Sequence, residues 1–405
     1  MTDPSEVRVS GPLAPWATGY AHSLVRQGYT PNSATLHMHL TAHLSRWLAA
    51  EGVDPGKLRV TDVERFLRAR RRAGYTQYLS DKALRPLLTY LRDQGVVPPP
   101  PPAVATSPVD VLIERYRAYL TTERGLRRGT ARGYIDAVHP FVRSRLSADG
   151  FSLEWASLRA ADVSAFVVDH TPSQARGTAK ITVTALRSLL GFLHVEGLIA
   201  RPLATAVPAV ARWRLARLPK GLAPAEVQAL LGSCDLRTRM GRRDFAVLIT
   251  LLRLGLRAGE LAALRLDDID WRAGTLVVQG KGPQIERLPL PADVGNAMVA
   301  YLRRGRPATA IDRTVFVRIR APHRGLSAVG VTQIVAAAGR RAGLGPIHAH
   351  RLRHTAATQM LRAGAPLPEI GQLLRHRRLL TTAIYAKVDR AALRTIARPW
   401  PGSAA

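Results

Sequence analysis

The sequence predicts a mainly helical protein: two N-terminal helical bundles followed by a mixed α+β region with a small β-hairpin. Three observations carry this reading. Apolar residues recur at helical spacing through the first two hundred or so positions, with no sustained alternation. The two leading segments read as copies of one another. A later stretch, 275–290, holds two short strand-like runs that flank a glycine-rich tip.

The internal repeat rests on three matches in the same order. Tyr20-x3-Leu24-x3-Gly28 pairs with Tyr116-x3-Leu120-x4-Gly125. Asp62-Val63-x2-Phe66-Leu67 pairs with Asp162-Val163-x2-Phe166-Val167. Leu87-Leu88-x2-Leu91-x3-Gly95 pairs with Leu189-Leu190-x2-Leu193-x3-Gly197. The offsets are 96, 100 and 102 residues, close to constant. Each copy reads as a bundle of four or five helices. An unbroken proline run, Pro98 to Pro102, separates them and reads as a polyproline spacer, since proline cannot continue a helix. A basic stretch from Ala211 to Gly221 reads as a second linker. The expected domains are therefore 1–105, 106–212 and 213–405, with the first a possible duplicate of the second.

In the third region, Arg243 to Leu254 is an amphipathic helix ended by Gly255, and Ala258 to Leu264 a short second helix. Thr275–Gln279 and Ile285–Leu290 form the hairpin, with Gly280-Lys281-Gly282-Pro283-Gln284 at its tip. Helices are expected at 291–303, 327–342, 350–363, 367–374 and 380–388.

Charge narrows the function. The chain of 405 residues carries 59 Lys+Arg against 29 Asp+Glu, a net +30. Only six of the basic residues are lysine, which together with the alanine and proline richness fits a GC-biased coding sequence. Such a bias explains arginine over lysine but not the shortage of acids. A polyanion partner, nucleic acid first, explains that shortage. A single cysteine, Cys234, excludes an intrachain disulfide and a cysteine-based zinc site. No apolar run reaches the ~18–20 residues of a membrane span. The N-terminus lacks the regions of a signal peptide, so a cytoplasmic protein is expected.

The residues that carry chemistry lie mostly in the third region. His350 and Arg353 are three apart at the start of a helix and share a face. Arginine offers a planar fork that matches two phosphate oxygens, and a neighbouring histidine can hydrogen-bond the same group or take a proton. From Arg340 to Arg378 there are eight arginines and one acid, Glu369. Arg351, Arg362 and Arg378 read as solvated. A zinc site from His348, His350 and His354 is set aside. Positions 348 and 350 point to nearly opposite sides of a helix, and the interleaved arginines repel a cation.

Other residues have two readings each. Lys281, between two glycines, is either a solubilising turn lysine or an ammonium carried into a DNA groove to protonate a leaving oxygen. Arg257 follows a helix break, and Glu260 three residues on is placed to orient a basic neighbour. Tyr385, on a short amphipathic stretch, is either half-buried packing or a nucleophile. The second role needs a cationic phosphate site, since the unperturbed phenol pKa is about 10. His376, between Arg375 and Arg377, can belong to that site.

Singly these signals are weak, but their order and spacing are specific. Gly255-Leu256-Arg257-x2-Glu260-Leu261, Gly280-Lys281-Gly282, His350-x2-Arg353-His354-Thr355-x2-Thr358 and Leu373-Leu374-x-His376-x4-Thr381-Thr382-x2-Tyr385 closely resemble the tyrosine recombinase (phage integrase) family. The resemblance is close over roughly 215–390 and looser over 108–210, where the family carries a helical core-binding domain.

The resemblance implies a site-specific DNA recombinase. Tyr385 would attack the scissile phosphate and leave a 3′-phosphotyrosyl link. Arg257 and Arg353 would clamp the phosphate, and Lys281 would act as general acid toward the 5′ oxygen. His350 would serve as base or phosphate ligand, His376 would hydrogen-bond the phosphate, and Glu260 would support them. It also implies no metal, no cofactor and no small-molecule substrate. Assembly would be a tetramer on two DNA sites, with the tail Ala391 to Ala405 a candidate for contact between subunits.

Two departures stand out: Arg375 occupies a position usually held by glycine, and the first helical segment is extra. That segment points to a mobile element. Two alternatives use the same residues differently. A type IB topoisomerase would relax supercoils without sequence preference. A non-catalytic DNA-binding accessory protein would have lost the nucleophile, which this chain retains.

Overall fold

The computed structural model describes residues 3–99, 107–209, 221–280 and 285–375. By internal contact the chain divides into two compact units, Met1–Pro99 with Leu215–Ala405, and Pro100–Arg214.

The N-terminal segment of the larger unit builds four α-helices around its own core: α1 (Ala17–Arg26), α2 (Pro31–Ala50), α3 (Val60–Arg72) and α4 (Asp81–Asp93). Thr30 starts α2, its Oγ1 accepting from the Ser33 amide at 3.3 Å, with Pro31 at the first helical position. No side chain of the preceding residue caps α3. Instead the Asp62 carboxylate reaches back to the Arg59 amide at 2.9 Å, satisfying one of the orphan donors of the first turn. Tyr20, Leu24, Leu44 and Leu84 are buried together, and the Tyr20 ring lies 5.4 Å from that of Tyr90.

The second unit repeats this plan with α5 (Pro108–Ala118), α6 (Arg128–Arg143), α7 (Ala160–His170) and α8 (Arg176–Val195). Asp162 reaches back to the Arg159 amide at 2.8 Å, as Asp62 does to Arg59. Tyr116 stands where Tyr20 stands, and its ring lies 5.4 Å from Phe192, the counterpart of Tyr90. The three sequence matches are therefore core and capping positions. One difference is local: α5 runs on into a π-helical turn, Tyr119–Glu123.

The remaining part of the larger unit begins with α9 (Pro224–Gly232), α10 (Arg239–Leu254) and α11 (Ala258–Ala263). A sheet follows, β1 (Ile269–Asp270), β2 (Thr275–Gln279) and β3 (Ile285–Pro289). It closes with α12 (Ala292–Arg304), α13 (Ala328–Arg341), α14 (Ala349–Arg362) and α15 (Leu367–Leu373). The hairpin falls where expected, with Thr275 opposite Pro289 and Gln279 opposite Ile285. The short strand β1 was not anticipated. It pairs antiparallel with β2 through Ile269 and Asp270, and two residues are too few to show a period.

Helix α10 starts four residues earlier than the pattern predicts. Thr238 caps it, its Oγ1 accepting from the Gly241 amide at 2.9 Å. A side chain at Gly241 would collide with the Asp235 carbonyl, so this glycine marks a close approach and not a loop. Val247, Leu248 and Leu251 are fully buried, and α12, α13 and α14 pack against α10. The Leu222 amide donates to Thr355 Oγ1 at 2.8 Å, fastening the start of this region to α14. The proline run beyond Pro99, most of the basic linker and the helix expected at 380–388 lie outside the described residues. Among the described residues, no helix is long and apolar enough to cross a membrane.

Gly255 ends α10 at φ 57°, the left-handed conformation of a helix C-cap. A Cβ there would also sit 2.6 Å from Leu374 Cδ2. Gly255→Ala is therefore expected to cost about 1–3 kcal/mol through strain and overpacking. Urea unfolding measures this, and a midpoint equal to that of the parent would remove the requirement for glycine.

Candidate active site

The site forms where α10 ends, α11 begins and α14 passes beneath. Arg257 is the residue before α11. Its amide donates to Glu260 Oε2 at 2.9 Å, and its Nη1 to Glu260 Oε1 at 2.6 Å. The Arg-x-x-Glu spacing thus closes the first turn of α11 and aligns a guanidinium at the same time. The Arg257 side chain stays 41% exposed, whereas Glu260 is 6% exposed.

Arg353 comes from the second turn of α14 and is buried, at 2% exposure. Nη1 donates to the Gly255 carbonyl at 2.6 Å, and Nη2 to the Leu374 carbonyl. The residue after Leu374 joins the same cluster. Arg375 Nη2 donates to Glu260 Oε2 at 2.8 Å, and the Arg375 carbonyl accepts from Arg257 Nη2 at 3.3 Å. In the sequence Arg375 stands out only as a departure from the family pattern. Its φ of 54° explains why glycine suits the position.

These contacts set the local electrostatics. Burial pushes the Glu260 carboxyl up, but the Arg257 amide and the charge of Arg375 outweigh it and hold the group below the usual carboxylate range. His350 is held below the ordinary histidine value by burial first, then by the Arg353 and Arg257 charges. Its ring lies 4.3 Å from that of His354, edge to face. His354 is pushed down to about 4 by burial, then by His350 and Arg353. The sequence reading gave His354 no role, although its i,i+4 spacing from His350 was the available signal.

The structure therefore brings Arg257, Glu260, His350 and Arg353 together. Lys281, His376 and Tyr385 lie outside the described residues. Arg351, expected to be solvated, lies near Glu226 at 3.5 Å and is half-buried. Among the described residues, no group of three or more His, Cys, Asp or Glu gathers to hold a metal ion. What the cluster offers is a cationic surface with one internal carboxylate and histidines biased toward the neutral form. Such a surface favours an anion and can accept a proton beside it.

Known proteins resemble this chain in sequence and in fold. Residues 220–391 match the model of the phage integrase family. The putative integrase/recombinase y4rA of Sinorhizobium fredii is 41% identical over 398 residues, 97% of this chain and 96% of that protein. Tyrosine recombinase XerD of Listeria monocytogenes is 30% identical over 292 residues, 70% of this chain and 96% of that protein. Among solved structures, the XerH site-specific recombinase in a post-cleavage complex with a palindromic difH substrate is similar in fold. The TM-score is 0.58 at 18% identity, covering 73% of this chain and 97% of that one.

The two histidines make stability depend on pH. A histidine whose folded pKa is depressed binds its proton more tightly when unfolded, so acidification favours unfolding between the ordinary and the folded value. For His354 that window runs from 6.5 down to about 4. The Glu260 shift acts only below the ordinary glutamate value of about 4.3. The melting temperature is therefore expected to fall between about pH 7.5 and about pH 5, and His354→Gln to flatten the fall. A calorimetric pH series that gives the same slope for both proteins would exclude His354 as the cause.

Proposed function

We propose, for a chain that belongs to the phage integrase family, that the cluster around Arg257 binds the scissile phosphate of double-stranded DNA and that Tyr385 cleaves it. The protein is a tyrosine-type site-specific DNA recombinase, an enzyme of strand breakage and rejoining. The observation that supports this assignment of residues most is the convergence of Arg257, Glu260, His350 and Arg353 at one turn. These residues are drawn from positions nearly a hundred apart in sequence.

In the proposed step the Tyr385 oxygen attacks phosphorus, and the bond from phosphorus to the 5′ oxygen breaks. His350, biased toward its neutral form, accepts the phenol proton. Lys281 gives a proton to the departing 5′ oxygen. Arg257, more exposed than Arg353, meets the non-bridging phosphate oxygens, while Arg353 holds the turn beneath and adds positive potential. His376 hydrogen-bonds the phosphate. The bond energy stays in the phosphotyrosyl ester, so the reverse attack by a 5′ hydroxyl rejoins the strand without ATP.

The remaining parts of the reading concern assembly and context. Residues 106–212 form the core-binding domain and 213–405 the catalytic domain, with 1–105 a duplicated helical domain. Four protomers join two DNA sites, with the segment Ala391 to Ala405 as the exchanged contact. The element served is a mobile one, acting in the cytoplasm. The match to y4rA across 97% of this chain supports treating the extra N-terminal part as integral to the enzyme.

A nicked duplex taken from the DNA flanking the gene tests the chemistry. The wild-type protein is expected to form a denaturant-resistant adduct on it, and Tyr385→Phe to form none while still shifting the duplex in a gel. An adduct with the phenylalanine variant would move the nucleophile elsewhere.

A further inference from the structure

Arg375 combines two features that are costly separately. Its backbone is left-handed, at φ 54°, which strains any residue carrying a Cβ. Its guanidinium is withdrawn from water, the side chain being 2% exposed. Burying a charge in this way is tolerated only where it is paired and hydrogen-bonded. The pairing is present: Nη2 donates to Glu260 Oε2 at 2.8 Å and Nη1 to the Leu373 carbonyl at 3.0 Å. The Arg375 carbonyl accepts from Arg257 Nη2 at 3.3 Å. The side chain and main chain of one residue thus both engage the Arg257–Glu260 pair.

The geometry has a consequence for Arg257. A carboxylate and a guanidinium prefer to meet fork to fork, with both oxygens on one arginine. Here Oε1 of Glu260 takes Arg257 Nη1 at 2.6 Å, while Oε2 is shared between the Arg257 amide and Arg375. Arg375 thus stands where the second tooth of a fork-to-fork pair would form. The Arg257 guanidinium is fixed instead by two different groups, Glu260 on Nη1 and the Arg375 carbonyl on Nη2. Its side chain remains 41% exposed. A donor plane set before the anion arrives needs no reorganisation during reaction.

We propose that Arg375 is a positioning residue for strand cleavage: it occupies Oε2 of Glu260 and offers its carbonyl to Arg257, fixing the plane in which Arg257 meets the phosphate. The proposal rests on the recombinase reading above. Arg375 acts through Arg257 and Glu260 and makes no contact with the DNA in this role.

The test compares full-length Arg375→Gly, Arg375→Lys, Glu260→Gln and the double variant Glu260→Gln with Arg375→Gly. The probe is the nicked duplex from the DNA flanking the gene. Adduct formation, duplex affinity and melting temperature are measured for each. Glycine takes the left-handed backbone without strain, so Arg375→Gly removes the side chain and relieves the turn together.

The expected result is adduct formation slowed about 10- to 100-fold in Arg375→Gly, with duplex affinity near that of the wild type. Arg375→Lys should recover part of the rate, because it keeps a cation but not the fork. The double variant should be no slower than the slower single variant, since both changes act on one contact. Wild-type cleavage in Arg375→Gly would overturn the proposal. So would a loss of cleavage, affinity and melting temperature in parallel, which marks a structural role, and so would additive losses in the double variant. Absence of an adduct from the wild-type protein would instead remove the recombinase assignment of the site, and this proposal with it.

Discussion

One buried guanidinium holds the catalytic region together. Arg353 donates to the Gly255 carbonyl, at the C-terminus of α10, and to the Leu374 carbonyl, at the C-terminus of α15. Helix C-termini carry carbonyls without intrahelical partners and the negative end of the helix dipole. A cation placed between two of them answers both at once, which is how an arginine can lie at 2% exposure. The same contact fixes how closely the chain after α15 approaches the turn after α10. Leu374 is then so near that Gly255 has no room for a side chain. Glycine, arginine and the α15 cap are three parts of one packing solution.

That solution decides what the site can attract. Arg257 and Arg375 converge on a single carboxylate, Glu260, while Arg353 lies beside them on the Gly255 and Leu374 carbonyls. The charge left over is positive, and the chain as a whole is +30, so the local and global fields agree in sign. Burial and this positive field both disfavour protonated histidine, which is why His350 and His354 fall below their ordinary value. The cluster therefore separates two functions that one kind of residue cannot combine. Its arginines offer positive charge to an anion, and its histidines are biased toward the neutral form that can accept a proton. Arg257 and Arg353 are also unequal. Arg257 presents itself to solvent, while Arg353 is committed to backbone carbonyls.

Local features of this arrangement were legible in the sequence. Gly255 as a helix stop and Glu260 three residues after Arg257 are capping signals, and capping depends on neighbours within one turn. His350 and Arg353 share a face for the same reason. The hairpin was legible because two short strand-like runs flank a glycine-rich tip. Long-range relations were not. That Arg375 reaches Glu260, 115 positions away, depends on how α15 docks, and no local pattern encodes it. The start of α10 was hidden because Arg239 to Arg242 looks polar and contains a glycine. That glycine in fact permits close contact with Asp235.

The internal repeat shows how far such legibility extends. Helices α3 and α7 share Asp, Val and Phe at matching positions, and these build the N-terminal capping contact and the buried face. Their remaining positions differ. Helix α3 carries five arginines, of which Arg70 turns inward to His43 Nδ1 at 2.7 Å. Helix α7 carries none and exposes Val168 instead. Core positions are constrained by packing, so two bundles of one plan share them, while solvent positions are open to change. The two bundles therefore share a framework. The surface chemistry of each bundle follows from its own residues, an arginine-rich helix in the first and an acidic, partly apolar one in the second.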